Sequence, residues 1–218
     1  MPKDLRDENQ PCPVCAAAAA TVDNAAPLYF RCPQCGYVFL DRRLPDPARE
    51  RARYELHQNS ITDTGYTAQL DGFIDFALDG LAHPPCTALD FGCGPAPVLA
   101  ELLARRGMKT DYYDPFFFPK PVYEHKTYDL ITCTEVLEHL REPVAVFSTL
   151  AGALAPGGSL VVMTGFVPQD KRLRDWWYIA DFTHIGFFTP ESLACAAGHA
   201  GLRLARTDGR KMAVFQQG

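Results

Sequence analysis

The residues of this chain whose types and spacing could do chemistry fall into three sets. Cys12-Pro13-Val14-Cys15 and Cys32-Pro33-Gln34-Cys35-Gly36 are two CxxC knuckles with sixteen residues between them, a spacing that lets four thiolates close a tetrahedron around zinc. Zinc held by four thiolates has no open position, so Cys12, Cys15, Cys32 and Cys35 read as a structural centre for a segment with little core of its own. A redox pair is the alternative, but that chemistry needs only one CxxC inside a thioredoxin-like unit. The second set is Asp90-Phe91-Gly92-Cys93-Gly94, a carboxylate beside a glycine loop, with a further carboxylate at Asp114. The third is Glu135, Glu138 and His139, which stand at i, i+3 and i+4 on one face if residues 135–140 are helical. An imidazole there can accept a proton near neutral pH from a hydroxyl or a carbon acid.

Residues 88–114, ALDFGCGPAPVLAELLARRGMKTDYYD, describe the scaffold these sets need. Ala88, Leu89 and Phe91 make the short apolar run of a buried parallel strand, which stops at Gly92-Cys93-Gly94. Pro97 suits the first position of a helix whose Val98, Leu99, Leu102 and Leu103 recur at helical spacing until Gly107. A second strand ends at Asp114. Strand, glycine loop, helix and strand with a terminal acid hold a nucleoside-bearing cofactor at the carboxyl edge of a parallel sheet. A dinucleotide fingerprint would require a glycine where Pro97 stands. Asp90 would repel a pyrophosphate and attract an ammonium group. S-adenosylmethionine meets that demand, with an amine, two ribose hydroxyls for Asp114 and no phosphate.

On these residues the chain resembles the class I S-adenosylmethionine-dependent methyltransferases. LDFGCGPAP is similar to their first motif, with Ala96 in place of the usual third glycine, and YYDP is similar to their second. LAPGGSLVVMT resembles their LKPGG-strand motif, and the likeness runs from about Leu70 to the carboxyl terminus. It implies a doubly wound, mostly parallel Rossmann-like α/β sheet ending in an antiparallel hairpin, here with a small N-terminal zinc ribbon. It implies methyl transfer to an oxygen or carbon of a small-molecule acceptor, with cofactor contacts from Asp90, Gly92, Cys93, Gly94, Asp114, Pro115, Thr134 and Glu135. EVLEHL also resembles a segment of ubiquinone-type O-methyltransferases. In some of these, and in small-RNA 2'-O-methyltransferases, the matching Glu, Glu and His hold a divalent metal with a later histidine. His184, in THIGFFTPESL, matches that later position. The resemblance thus implies that Glu135, Glu138, His139 and His184 could hold Mg2+, Mn2+ or Fe2+ and lower the pKa of an acceptor hydroxyl. Two readings stand beside it: His139 or His184 as a metal-free general base, and a structural role for the whole set.

The rest of the chain is read around this unit. A length of 218 residues suits one α/β domain with a small appendage, and a formal charge of -5 argues against a general nucleic-acid binder. The amino terminus lacks an apolar h-region and no run of eighteen apolar residues occurs, so neither signal peptide nor membrane span is expected and the location should be cytoplasmic. The lone Cys86, Cys93, Cys133 and Cys195 read as reduced and inert. The expected division is a zinc ribbon over 1–44, a linker and cofactor-covering segment over 45–66, and a methyltransferase domain over 67–218. Pro45 and Pro47 mark the linker, residues 49–57 suit a helix carrying Tyr54 and His57, and Leu70 to Leu81 recur at helical spacing. Arg42, Arg43, Arg49, Arg51 and Arg53, offset by Asp41, Asp46, Glu50 and Glu55, could serve recognition through the ribbon.

Only fourteen residues lie between Asp114 and Asp129, too few for a helix and a full strand, so one βα unit should be abbreviated. Phe116, Phe117 and Phe118 could flank an adenine ring or be core. Residues 128–133 read as a strand, Pro143 opens a helix that Ala155-Pro156-Gly157-Gly158 ends, and residues 171–181, with Trp176, Trp177 and Tyr178, suit a substrate wall. Thr189 and Pro190 start a further helix, and Asp208-Gly209 signals a final hairpin. Two competing functions remain: an RNA methyltransferase that uses the ribbon for recognition, and a non-catalytic S-adenosylmethionine-binding module that docks a protein partner through the ribbon.

Overall fold

The computed structural model describes residues 10–22, 27–41, 46–56, 59–81, 83–169 and 172–218. Arg42, Arg43, Pro45, His57 and Lys171 lie outside them.

The ribbon is built from four short antiparallel strands in sequence order, β1 (Gln10–Pro11), β2 (Ala18–Thr21), β3 (Tyr29–Arg31) and β4 (Val38–Leu40). Each CxxC occupies the turn between paired strands, and the two turns repeat one hydrogen-bond pattern. Cys12 N–H donates to the Ala17 carbonyl and Cys32 N–H to that of Tyr37, while Ala16 and Gly36 reach back to the first cysteine of their own knuckle. Ala16 and Gly36 both adopt a left-handed φ, 60° and 80°, which glycine accepts without strain and alanine does not. A fifth strand, Gly186–Phe187 from the far end of the chain, pairs antiparallel with β4. The ribbon is therefore completed by the larger unit, and its Cys12, Cys32, Phe30 and Phe39 share one apolar core with Phe188 and Leu193.

The larger unit is a six-stranded sheet. Parallel strands β5 (Thr87–Phe91), β6 (Lys109–Tyr113), β7 (Tyr128–Thr134) and β8 (Leu154–Met163) are followed by β9, the Gly186–Phe187 strand that joins the ribbon. β10 (Leu202–Thr207) and β11 (Met212–Gln217) form the antiparallel end, in the order β10-β11-β8-β7-β5-β6. The side-chain alternation of a strand sorts the core into two layers. Ala88, Leu130, Val161 and Val214 pack against helices α2 (Thr64–Leu78) and α3 (Val98–Arg105). Leu89, Ile131, Leu160, Val162 and Phe215 face α4 (Pro143–Gly152) and α5 (Pro190–Gly198). This is the doubly wound α/β architecture the sequence implies, with the expected hairpin of β10 and β11.

Several boundaries move for identifiable reasons. Helix α1 (Pro47–Tyr54) starts two residues earlier than its pattern suggests, because Asp46 accepts from the Ala48 and Arg49 amides and Pro47 sits in the first turn. Helix α2 begins at Thr64 behind the Asp63 cap and ends at Leu78, so the periodicity overshoots to Leu81 across Gly80, whose φ is +72°. Pro97 caps α3 rather than opening it. Helix α4 ends at Gly152, and Ala155 to Gly158 fall inside β8. The abbreviated unit is as expected: between β6 and β7 the chain makes only the isolated bridge Asp114↔Phe118, which leaves β6 at the sheet edge.

Candidate functional site

The carboxyl ends of β5, β6 and β7 deliver three turns to a single cavity of about 700 Å³, roofed by Glu50 and Tyr54 of α1 and by Asn59 and Tyr66. All eight residues expected to contact a cofactor line it. At one end Gly92 and Gly94 turn with φ of +83° and +66°, and a Cβ on Gly92 would stand 2.2 Å from Val136 Cγ2, so the loop closes only with glycine there. Asp90 is buried beneath it, 3.4 Å from the Thr132 hydroxyl, and burial pushes its pKa up to about 7. Asp114 is buried as well. Its Oδ2 accepts from the Gly94 amide at 3.0 Å, and its Oδ1 accepts from the Phe116 and Phe117 amides at 2.8 and 3.1 Å. One carboxylate thus shapes both the glycine loop and the aromatic turn after β6. Phe116, Phe117, Tyr113 and Tyr123 line that end of the cavity, whereas Phe118 turns away to Tyr112.

The other end gathers the acid and imidazole set, though not on a helix. Glu135 turns with φ of 52° and donates its amide to the Met163 carbonyl at 2.7 Å. A short 3-10 turn, Leu137–His139, follows it. A left-handed φ at a non-glycine residue costs roughly 1–2 kcal/mol. The i, i+3, i+4 face is therefore a wrong expectation, and a side chain from elsewhere joins the two acids instead. The Tyr178 hydroxyl lies 2.5 Å from Glu138 Oε1 and 2.9 Å from Glu135 Oε2, and the Thr164 hydroxyl donates to Glu138 Oε2 at 2.8 Å. Burial and the neighbouring Glu138 push Glu135 up to about 8. Burial raises Glu138 as well, and a proton held between the two acids lets one phenol hydroxyl serve both carboxyl groups. Glu138 is wholly buried behind Tyr178 and does not line the cavity.

The imidazoles do line it. His139 Nδ1 lies 2.9 Å from the Thr183 carbonyl and His184 Nδ1 lies 2.7 Å from that of Tyr178. A carbonyl can only accept, so both Nδ1 atoms carry hydrogen and both neutral rings keep a lone pair on Nε2. Burial and the neighbouring His139 push His184 down to about 4, which keeps it neutral at physiological pH. The ring centroids are 4.8 Å apart.

Among the described residues, two groups of donors fit metal ions. The four knuckle sulfurs lie within 4.8 Å of one another, with Cys12 to Cys35 at 3.6 Å and Cys15 to Cys32 at 3.4 Å. A tetrahedron with Zn–S of about 2.3 Å needs sulfur separations near 3.8 Å. One atom each from Glu138, His139 and His184 also fall within 4.8 Å of one another. Their Nδ1 atoms are held by carbonyls in the way that fixes metal-binding imidazoles. Glu135 lies outside that group. The wall residues divide three ways. Trp176 stacks on Tyr178 and meets Phe187, Tyr178 joins the acids, and Trp177 stands 78% exposed at the mouth. The described arginines beyond the ribbon are engaged: Arg53 pairs with Asp181 at 2.7 Å, Arg51 with Glu55 at 3.0 Å, and Arg49 lies over Phe182. Glu50 has no motif to flag it, and Thr164 closes LAPGGSLVVMT without a role assigned to it there. A polar residue just past a buried strand is the one signal that points to Thr164.

Fold and cavity together define a class I methyltransferase architecture. The methyltransferase-domain family profile matches residues 45–207, well over half of the chain. The chain belongs to that family. Curated relatives include the ubiquinone biosynthesis O-methyltransferases of Xanthomonas campestris pv. campestris (27% identical over 115 residues, 42% of this chain and 48% of that one) and Idiomarina loihiensis (29% over 129 residues, 48% and 50%). The chain spans about half the length of the curated relatives it matches. Among solved structures, the mitomycin 7-O-methyltransferase MmcR superposes with a TM-score of 0.55 at 16% identity over 71% of this chain and 55% of that one. An O-methyltransferase family protein from Burkholderia thailandensis gives 0.53 at 18% over 79% and 60%. These likenesses establish the fold. Among the described residues, no helix is long and apolar enough to cross a membrane.

Proposed function

We propose that the protein transfers the methyl group of S-adenosylmethionine to an oxygen or carbon of a small-molecule acceptor. The observation that carries this reading is the continuity of one cavity from Asp90, the glycine loop and Asp114 to His139 and His184. When bound, S-adenosylmethionine supplies an electrophilic methyl on a sulfonium that is already a good leaving group, so the protein contributes alignment and deprotonation. Asp90 would face the ammonium, whose charge favours its ionised form, and Asp114 would accept from the ribose. His139 Nε2 would take the acceptor proton, with its Nδ1–H anchored on Thr183. In this reading residues 1–44 form the zinc ribbon, 45–66 the covering segment and 67–218 the transfer domain, with Zn2+ in the four thiolates.

A second reading adds a divalent ion at Glu138, His139 and His184, favoured by the two Nδ1 tethers. It requires the Tyr178 hydroxyl to release Glu138. Mn2+ titration of the zinc-loaded protein, followed by electron paramagnetic resonance, tests it: stoichiometric binding abolished by Glu138→Gln supports the ion, and no binding removes it.

The test of the main reading is calorimetric titration of S-adenosylmethionine and S-adenosylhomocysteine into zinc-loaded protein and an Asp114→Ala variant. Micromolar binding that weakens about tenfold or more in the variant is expected, the loss of one charge-assisted hydrogen bond or more. No binding by the folded protein would refute it.

A further inference from the structure

Residues 184–187 lie between the two parts of the molecule, and each side of the segment is held by a different one. On the ribbon side, Val38 and Phe39 of β4 pair with Phe187 and Gly186, and the Leu40 amide donates to the Ile185 carbonyl at 2.9 Å. On the other side, the Ile185 amide donates to the Glu138 carbonyl at 2.8 Å. One peptide step before this doubly held residue is His184. The ribbon's hold on it is specific. Tyr37 is buried, its ring 4.8 Å from that of Phe188, and a Cβ on Gly186 would stand 1.9 Å from its hydroxyl oxygen. The same Tyr37 closes the second knuckle, because its carbonyl accepts the Cys32 amide at 2.9 Å. Gly36, between Cys35 and Tyr37, meets the side chain of Thr189 at 3.1 Å from a built Cβ. The knuckle, Tyr37, Gly186 and the backbone of His184 and Glu138 thus form one contiguous line of packed groups. No described residue of the ribbon lines the cavity, and the glycine loop and the turn after Asp114 hang from β5 and β6, the two strands beyond β7 in the sheet order.

We propose that the ribbon is a positioning element of the transfer site, with Tyr37 as its contact: the folded knuckle fixes where His184 and the Glu138 turn stand, and leaves the glycine loop and Asp114 unaffected. This rests on the methyl-transfer reading for its purpose, and the test separates the two. Zinc-loaded full-length protein labelled with 15N-histidine is compared with protein stripped by chelation and with a zinc-loaded Gly186→Ala variant. Long-range 1H–15N correlations report the tautomer and environment of each imidazole, and calorimetry reports S-adenosylhomocysteine affinity.

The Gly186→Ala protein is expected to keep one zinc and to bind S-adenosylhomocysteine within about twofold of the parent. Its His139 and His184 resonances should be displaced, and Gly186→Ala/Tyr37→Phe should return them toward the parent by removing the hydroxyl that the new Cβ meets. Stripped protein should show the same displacement. If the histidine resonances of both the stripped protein and the Gly186→Ala variant superimpose on the parent, the proposal is overturned. It is equally overturned if affinity collapses in step with the displacement, since the effect is then global. Failure of zinc-loaded parent protein to bind S-adenosylhomocysteine would count against the methyl-transfer reading, while the histidine spectra would still decide the positional one.

Discussion

Two buried carboxyl groups, Glu135 and Asp90, make the stability of this protein depend on pH. Glu135 and Asp90 have folded pKa values raised to about 8 and about 7 by burial, so between their ordinary values and these the native state binds more protons than the unfolded chain and stability falls as pH rises. His184 acts oppositely. Its depressed pKa of about 4 adds stability as pH climbs toward its ordinary value of 6.5, and nothing beyond. From pH 6.5 to 8, therefore, the melting temperature of the ligand-free protein should decline, and Glu135→Gln should flatten the decline; an unchanged slope would refute the assignment. Tyr178→Phe strips the hydroxyl from wholly buried Glu138 and should cost about 1–3 kcal/mol in urea unfolding at neutral pH. EVLEHL announces the acids and His139, but not how they are held. The left-handed φ of Glu135 and the arrival of Tyr178 from forty residues away follow from tertiary packing that no local pattern encodes.

At the scale of elements, the glycine loop is the part most tightly specified. Gly92→Ala would drive a Cβ into Val136 at a backbone angle that side chains rarely adopt. S-adenosylhomocysteine affinity should drop at least about tenfold while the fold survives, and calorimetry beside circular dichroism would show either outcome. The strands and helices around this loop are readable because buried parallel strands are continuous apolar runs and helix starts carry Pro, Asp or Thr. The missing unit after Asp114 is readable by counting residues. β9 is not: two residues whose partner strand lies about 150 positions earlier leave no periodic signal. Helix α1 is half legible. It has a cap and a proline, but no buried residue, and it is held over the cavity through Arg49, Arg53 and the edge contact of Tyr54 with His139.

For the whole molecule, the ribbon and the α/β unit share a core as well as a sheet. Cys32→Ser should lose the metal and lower the melting temperature by about 5 °C or more, a larger effect than an independently folded appendage could exert on the rest. Zinc analysis and calorimetric scanning would check both, and an unchanged main transition would show the two parts to be separable. The same closure has a consequence in time. During synthesis both knuckles emerge long before Gly186 and Phe187, and the outer edge of β4 stays unpaired until those two residues are made. Ordering such distant partners is slow, because loop closure must precede any reward. Refolding with Zn2+ should therefore run in two stages, early metal capture by the thiolates and a later step in which the histidine environment recovers. The nascent chain carries an open strand edge, and with it a hazard of wrong pairing, until that partner strand has been made.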